Sequence, residues 1–443
     1  MKTSLKKWAA VTVGMSLLLS ACGGQSGNSD ATGNTNTGDT GKVAKQPEPE
    51  KPKEPVTLNF FYNGYSGTLT DELKQKVEAK FPHIKLNIIL DKQGSTIQDT
   101  MAAGIPIDLT AYSMGGLFRV MDLKLASDLR DLVKKHNFDT GRFAEGVYET
   151  ALSYSGNGEL LVMPYELNNN VLIYNKNIFD KFGVPYPTDG MTWEQMYDIV
   201  RKVSRVESGV QYKGFAYSGL NLIYKNQLGL TFVDPATNKA TVNNDGWKRW
   251  VEVMAGFHHI PNNDLNGRED DLFFKEQTLA MRAGPSPLEL LAGAVESGLR
   301  WDAVQLPSFE NSNSGGNQMN APFYTIPPSS RYRDEAFEVI AFLLSDEIQT
   351  ANARKGRVPV VKSPSVIKDF GVDLPFLQGT NYAKAVFADK IGKPIRVTKF
   401  DGQARSILSW ELPKVSRGEV DVNTMLRTAE EQINKYIEEQ LKK

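Results

Sequence analysis

The chain has 443 residues, with 51 basic and 52 acidic side chains, a formal net charge of −1, 40% apolar and 23% charged residues. That length exceeds what one hydrophobic core usually serves, so two compact lobes are expected. The near-neutral balance argues against a nucleic-acid binder. The only cysteine is Cys22, which excludes an internal disulfide.

The chain opens with Lys2, Lys6 and Lys7, then a mostly apolar run from Trp8 to Leu19 that is short for a spanning helix. Leu19-Ser20-Ala21-Cys22 matches the bacterial lipobox. Residues 1–21 are therefore expected to be a signal peptide. Cys22 is expected to be the lipidated mature N-terminus, holding the protein on the extracellular face of the cytoplasmic membrane. Acyl chains on one residue supply the two signals that stable anchoring needs. Cleavage removes three lysines and no acid, leaving 48 basic against 52 acidic residues and a net charge of −4. Residues 22–55 read as a disordered tether. Its first part is rich in Gly, Ser, Asn and Thr, and Gln46 to Pro55 is a stiffer Pro/Glu/Lys run. As flexible coil it spans on the order of 30 Å.

The folded part begins at Val56–Tyr62, a strand, followed by a helix with Leu69, Leu73, Val77 and Phe81 four apart. Ile84–Leu90 and Ile107–Tyr112 read as the next strands. This alternation predicts an α/β fold with a parallel sheet. Ligands of such sheets sit beyond the carboxyl ends of the strands, which selects Tyr62, Asn63, Tyr65, Asp91, Tyr112 and Ser113. Leu160–Pro164 and Val171–Tyr174 are β-rich. Thr192 and Gln195 form a capping box for a helix whose apolar face is Trp193, Met196, Tyr197, Val200 and Val203. Further helices are predicted over 245–257, 333–352 and 421–443. Strands are predicted at Leu279–Gly284, Trp301–Pro307 and Ala321–Ile326.

The stretch from Pro164 to Glu194 resembles the extracellular solute-binding proteins of ABC importers, the sugar-binding family 1 type. The ordered pieces are Pro164-Tyr165, Leu172-Ile173-Tyr174-Asn175-Lys176, Gly183-Val184-Pro185 and Thr192-Trp193-Glu194. Ala280-Met281, Trp301–Pro307 and the Gly356-x-x-Pro359 turn extend the similarity. The resemblance implies a two-lobed periplasmic-binding-protein-like fold of type II with a hinge between lobes. Residues 56–166 with 308–357 would form one lobe and 167–307 with 358–443 the other, crossing near 165–169, 305–310 and 355–360. It also implies that the helix start near Lys399–Trp410 enters the cleft. Arg405 or Trp410 there would take the place of the family's usual aromatic.

Four histidines without metal-ligand spacing, no phosphate loop and no nucleophile elbow leave no catalytic motif. No metal and no cofactor are expected. Reversible capture of a polyhydroxylated ligand needs aromatic platforms among hydrogen-bonding side chains. Tyr165, Glu166, Asn168, Tyr217, Met319, Asn320 and Gln403 fit, and Arg282 or Arg405 would admit an acidic sugar. The expected protein is a monomer that binds a carbohydrate and delivers it to ABC permease transmembrane subunits. A non-sugar solute, a sensor partner or a surface glycosidase activity are the alternatives.

Overall fold

The computed structural model describes residues 53–64, 67–264, 267–312 and 316–442. Cys22, the expected signal peptide, nearly all of the expected tether and Tyr65 lie outside the described residues. Among the described residues no helix is long and apolar enough to cross a membrane.

Residues 53–443 form one compact unit built on two five-stranded sheets and a short hairpin. The first sheet has β1 (Val56–Tyr62), β2 (Ile84–Leu90), β3 (Leu109–Tyr112) and β4 (Met163–Pro164), completed by β12 (Phe323–Thr325). Its order is β2-β1-β3-β12-β4. The second holds β5 (Val171–Asn175), β6 (Arg205–Glu207), β7 (Val210–Tyr217), β10 (Leu279–Gly284) and β11 (Trp301–Gln305), in the order β11-β5-β10-β7-β6. The hairpin pairs β8 (Val233–Asp234) with β9 (Lys239–Ala240). The architecture is the α/β, two-lobed one expected.

Neither sheet is purely parallel. β1 runs parallel to β2 and β3, but β12 is antiparallel to β3 and β4. In the second sheet β5 is antiparallel to both neighbours, β10 and β11. β5 and β12 are the strands that follow a passage between lobes, so a uniform βαβ reading does not apply there, and β6 pairs antiparallel with β7 as a hairpin at the sheet edge.

The local signals that set the elements are visible in the side chains. The Thr192 hydroxyl accepts from the Gln195 N–H at 3.1 Å, and the Gln195 amide oxygen accepts from the Thr192 N–H at 3.0 Å. Together they open the helix Trp193–Val203, whose Trp193, Met196, Val200 and Val203 are buried. Gly183, at φ 63°, ends the preceding helix Lys176–Phe182 in the left-handed region that glycine tolerates. The long helix expected over 333–352 is two helices, Arg333–Leu343 and Asp346–Arg354. Ser345 takes an extended conformation between them and accepts from the Ile348 N–H, starting the second helix afresh.

Packing moves two of the expected lobe boundaries. Ser308 accepts from the Trp193 N–H, and Phe309 sits in the second core, so the chain stays with the second lobe past 308. The Ala144 N–H donates to Val360, Val361 bridges Phe143, and the helix Pro364–Lys368 packs on Asp346–Arg354. The stretch after 357 therefore stays with the first lobe. It meets the second sheet where Tyr382–Phe387 packs on β11 and β5.

A buried ion pair fastens the crossings. Lys225 Nζ lies 2.6 Å from Asp389, with the side chains 3% and 0% exposed. Lys225 also donates to the Asn168 carbonyl, and Asp389 accepts from the Asn170 N–H and the Asn317 side chain. Asn168 and Asn170 belong to the first crossing and Asn317 to the second.

Candidate ligand-binding cleft

A cavity of about 410 Å³ lies between the two lobes. One wall is the segment directly after β3: Met114, Leu117, Phe118, Arg119, Asp122 and Leu123, with Thr150 and Tyr154 behind it. This segment passes close over the end of its own strand. A Cβ at Gly116 would run into the Tyr112 ring, so the turn needs glycine. The opposite wall is Tyr224, Phe232, Ile395, Val397, Lys399, Asp401, Gly402 and Arg405, and Gln318 and Met319 close the end. The lining is mostly apolar and aromatic with a few polar groups. A cavity of this size and makeup is usual for a small-molecule site.

The polar groups are held in place by neighbours. Arg119 donates to Gln98, and the Gln318 amide donates to the Lys393 carbonyl at 3.2 Å. Asp401 begins the helix Asp401–Ser416 and is 9% exposed. One of its carboxylate oxygens accepts from the Thr398 hydroxyl at 2.5 Å, and burial pushes its pKa up to about 6 against those hydrogen bonds. One turn on, the Arg405 guanidinium lies 4.3 Å from the centre of the Tyr224 ring. Burial lowers its pKa, opposed by Tyr224 and Asp401. Burial likewise raises the Tyr154 and Tyr224 phenols, which stay neutral donors.

Of the residues selected from sequence, Met319 and Arg405 line this cavity. Asn63, Asp91 and Tyr112 meet at the carboxyl ends of the first sheet. The Asp91 carboxylate accepts from the Asn63 amide at 2.7 Å and from the Tyr112 hydroxyl at 3.3 Å. Burial, and then the Asp91 charge, push Tyr112 up to about 12. Ser113 is exposed beside them. Tyr62, Tyr165 and Glu166 gather elsewhere. Tyr165 stacks on Tyr324 with centroids 4.3 Å apart, and Glu166 accepts from Arg357 at 3.1 Å. Tyr62 and Tyr165 line a pocket of about 50 Å³. Glu166 and Arg357 face a wider, more open groove beside Leu288 and Phe376. The main charges of that groove are already paired, Glu166 with Arg357 and Lys355 with Glu72, which leaves less there for a ligand to satisfy.

Four more of the selected residues also lie outside the cavity lining. Tyr217 is packed in the second core beside Phe215 and His258. Arg282 is 4% exposed and spent on Asp270, at 2.6 Å, and on the Pro285 carbonyl. Trp410 is 63% exposed on the outer side of its helix. Gln403 is half-buried and not among the lining residues. Asn168 and Asn320 are joined backbone to backbone at the crossing, N–H to carbonyl at 2.8 Å. Sequence reasoning missed Phe118, Tyr154, Tyr224, Phe232 and Asp401. The available signal was position: Met114–Leu123 directly follows the carboxyl end of β3.

Among the described residues no cluster of three His, Cys, Asp or Glu could hold a metal ion.

Residues 66–350 match the family of bacterial extracellular solute-binding proteins. An sn-glycerol-3-phosphate-binding periplasmic protein of Brucella melitensis is 24% identical over 328 residues, 66% of this chain and 71% of that protein. Its namesake in Escherichia coli (strain K12) is 27% identical over 194 residues, 39% of this chain and 43% of that one. A sugar transporter of Rhizobium etli, solved in an open conformation, superposes with a TM-score of 0.71 at 20% identity, covering 85% of this chain and 99% of that one. An ABC substrate-binding protein of Listeria monocytogenes in complex with cycloalternan gives 0.69 at 19% identity, covering 87% and 99%. The two likenesses to solved structures are of fold. The match over residues 66–350 of 443 is of sequence, and by it the chain belongs to the bacterial extracellular solute-binding proteins.

Proposed function

We propose that this protein captures a neutral carbohydrate, an oligosaccharide, in the cleft between its lobes and hands it to the transmembrane subunits of an ABC importer. In this reading it acts as a monomer tethered to the membrane through a lipidated Cys22. The observation that carries the carbohydrate reading is the composition of the cleft. Phe118, Tyr154, Tyr224 and Phe232 offer ring faces, while Asp122, Asp401, Gln98 and Gln318 stand among Arg119, Lys399 and Arg405. Sugar C–H faces pack on rings, and hydroxyls both donate and accept. The two carboxyl groups, Asp122 and Asp401, are balanced by Arg119, Lys399 and Arg405, so the charges of the lining do not by themselves select an anion.

The lobes in this proposal are residues 56–166 with roughly 310–381, and 167–309 with roughly 382–443, a division that follows the packing described above. Contacts from both lobes would favour the closed form through differential affinity. No bond is made or broken.

Calorimetric titration of the purified chain with neutral mono- and oligosaccharides, and in parallel with glycerol 3-phosphate, tests the substrate class. Saturable heat is expected with a neutral sugar and none with the phosphate ester. The reverse result would replace the carbohydrate by an organophosphate.

A further inference from the structure

Two atoms in the cleft are buried without a hydrogen-bond partner in the protein: the second carboxylate oxygen of Asp401 and Nε of Arg405. They belong to residues four apart on the helix Asp401–Ser416, hence on one face of it, and both residues line the cavity. Other buried charges are matched to each other, as in Lys225–Asp389 and Arg357–Glu166; among the cavity-lining residues only Asp401 and Arg405 carry such an unmatched atom, although Arg142, Glu194 and Glu338 do so away from it. Asp401 and Arg405 are not among the ion pairs of the described residues. Asp401 gives its first oxygen to Thr398, and Arg405 lays its guanidinium plane on Tyr224. Each is thereby fixed in place with one strong hydrogen-bonding atom still unused. Leaving such atoms unmade is costly when a charged group is involved.

An acceptor and a donor on lining residues one helical turn apart suit a ligand with a donor and an acceptor close together. Neighbouring hydroxyls on a sugar ring have that pattern, one donating to the carboxylate and the other accepting from Nε. An anionic group fits poorly, because it would lie against Asp401. We propose that Asp401 and Arg405 act together as the specificity pair of the cleft, reading two adjacent free hydroxyls on one sugar ring. This rests on the carbohydrate reading above and names the feature of the sugar that is recognised.

The test is a cycle between protein and ligand. The sugar that gives the strongest heat with the full chain is compared with its singly deoxygenated forms, on the wild-type protein, on Asp401→Asn and on Arg405→Lys. Loss of one hydrogen bond to a charged group is expected to weaken binding by about 10- to 100-fold. At one ring position the wild-type protein should lose that factor on deoxygenation. Asp401→Asn should bind the parent sugar that much more weakly, yet be nearly indifferent to deoxygenation at the same position. Arg405→Lys should show the same indifference at the adjacent position. A merely structural role would weaken parent and deoxy sugars alike, and that result overturns the pair, as does unchanged affinity in both variants. If the wild-type chain binds glycerol 3-phosphate and no sugar, the carbohydrate reading fails and the pair falls with it. If a sugar binds and the cycle shows no coupling, the pair alone fails.

Discussion

At Asp401 the protein keeps a carboxylate with one oxygen buried and without a hydrogen-bond partner in the protein. Its pKa of about 6 lies above the ordinary 3.8, with burial as the first cause. The folded state therefore holds the proton more tightly than the unfolded one. This group's contribution to stability grows as pH falls from about 6 towards 4, and above about 6 its full cost is present. That gap corresponds to on the order of 3 kcal/mol. Asp401→Asn should accordingly raise the melting temperature at pH 7.5, by less at pH 5, and by almost nothing at pH 4. Melting curves at the three values check this, and a pH-independent difference would refute the assignment. Residue-level legibility was uneven for a physical reason. Arg405 could be found because its position relative to the helix start is fixed along the chain. Tyr217 and Arg282 were misplaced because a position on a strand does not reveal which face is covered. Nor does sequence show that Asp270 is the partner that takes up Arg282.

At the level of elements, local chemistry was the readable part. β1, β2 and β10 run over the residues expected from their β-rich composition, and the capping box at Thr192 holds its helix start. Thr192→Ala removes the oxygen that accepts from the Gln195 N–H and should cost about 1 kcal/mol in urea denaturation. A change well below about 0.5 kcal/mol, the low end of such cap effects, would mean that the buried Trp193 face alone sets the start. What could not be read was long-range pairing. β12 joins the first sheet from more than 200 residues beyond β3, and its antiparallel direction depends on where the chain re-enters the lobe. The break at Ser345 was missed because apolar residues continue at helical spacing through it. The extended backbone shows only in the structure.

At the scale of the whole molecule, the walls of the cleft come from chain segments nearly three hundred positions apart, Met114–Leu123 and Ile395–Arg405. A ligand touching both raises the stability of the folded chain. At 100 times its dissociation constant it adds about 2.7 kcal/mol, so a thermal-shift screen of sugars should show a raised melting point for any true ligand. The buried pair Lys225–Asp389 carries a different expectation. Lys225→Met leaves Asp389 charged and enclosed and should destabilise the protein by about 3–5 kcal/mol, read from the urea midpoint. A loss below 1 kcal/mol would show that the surrounding amides alone satisfy Asp389.

That pair gathers the Asn168 carbonyl, the Asn170 N–H and the Asn317 side chain on a single carboxylate and ammonium. The strands of chain that must bend when the lobes swing apart are thus knotted at one point, and none of these groups lines the cleft. The dwell time of a captured molecule is set by how often the lobes part. A milder change at this knot, such as Asn317→Ala, could alter that dwell time while leaving intact every side chain that lines the cleft.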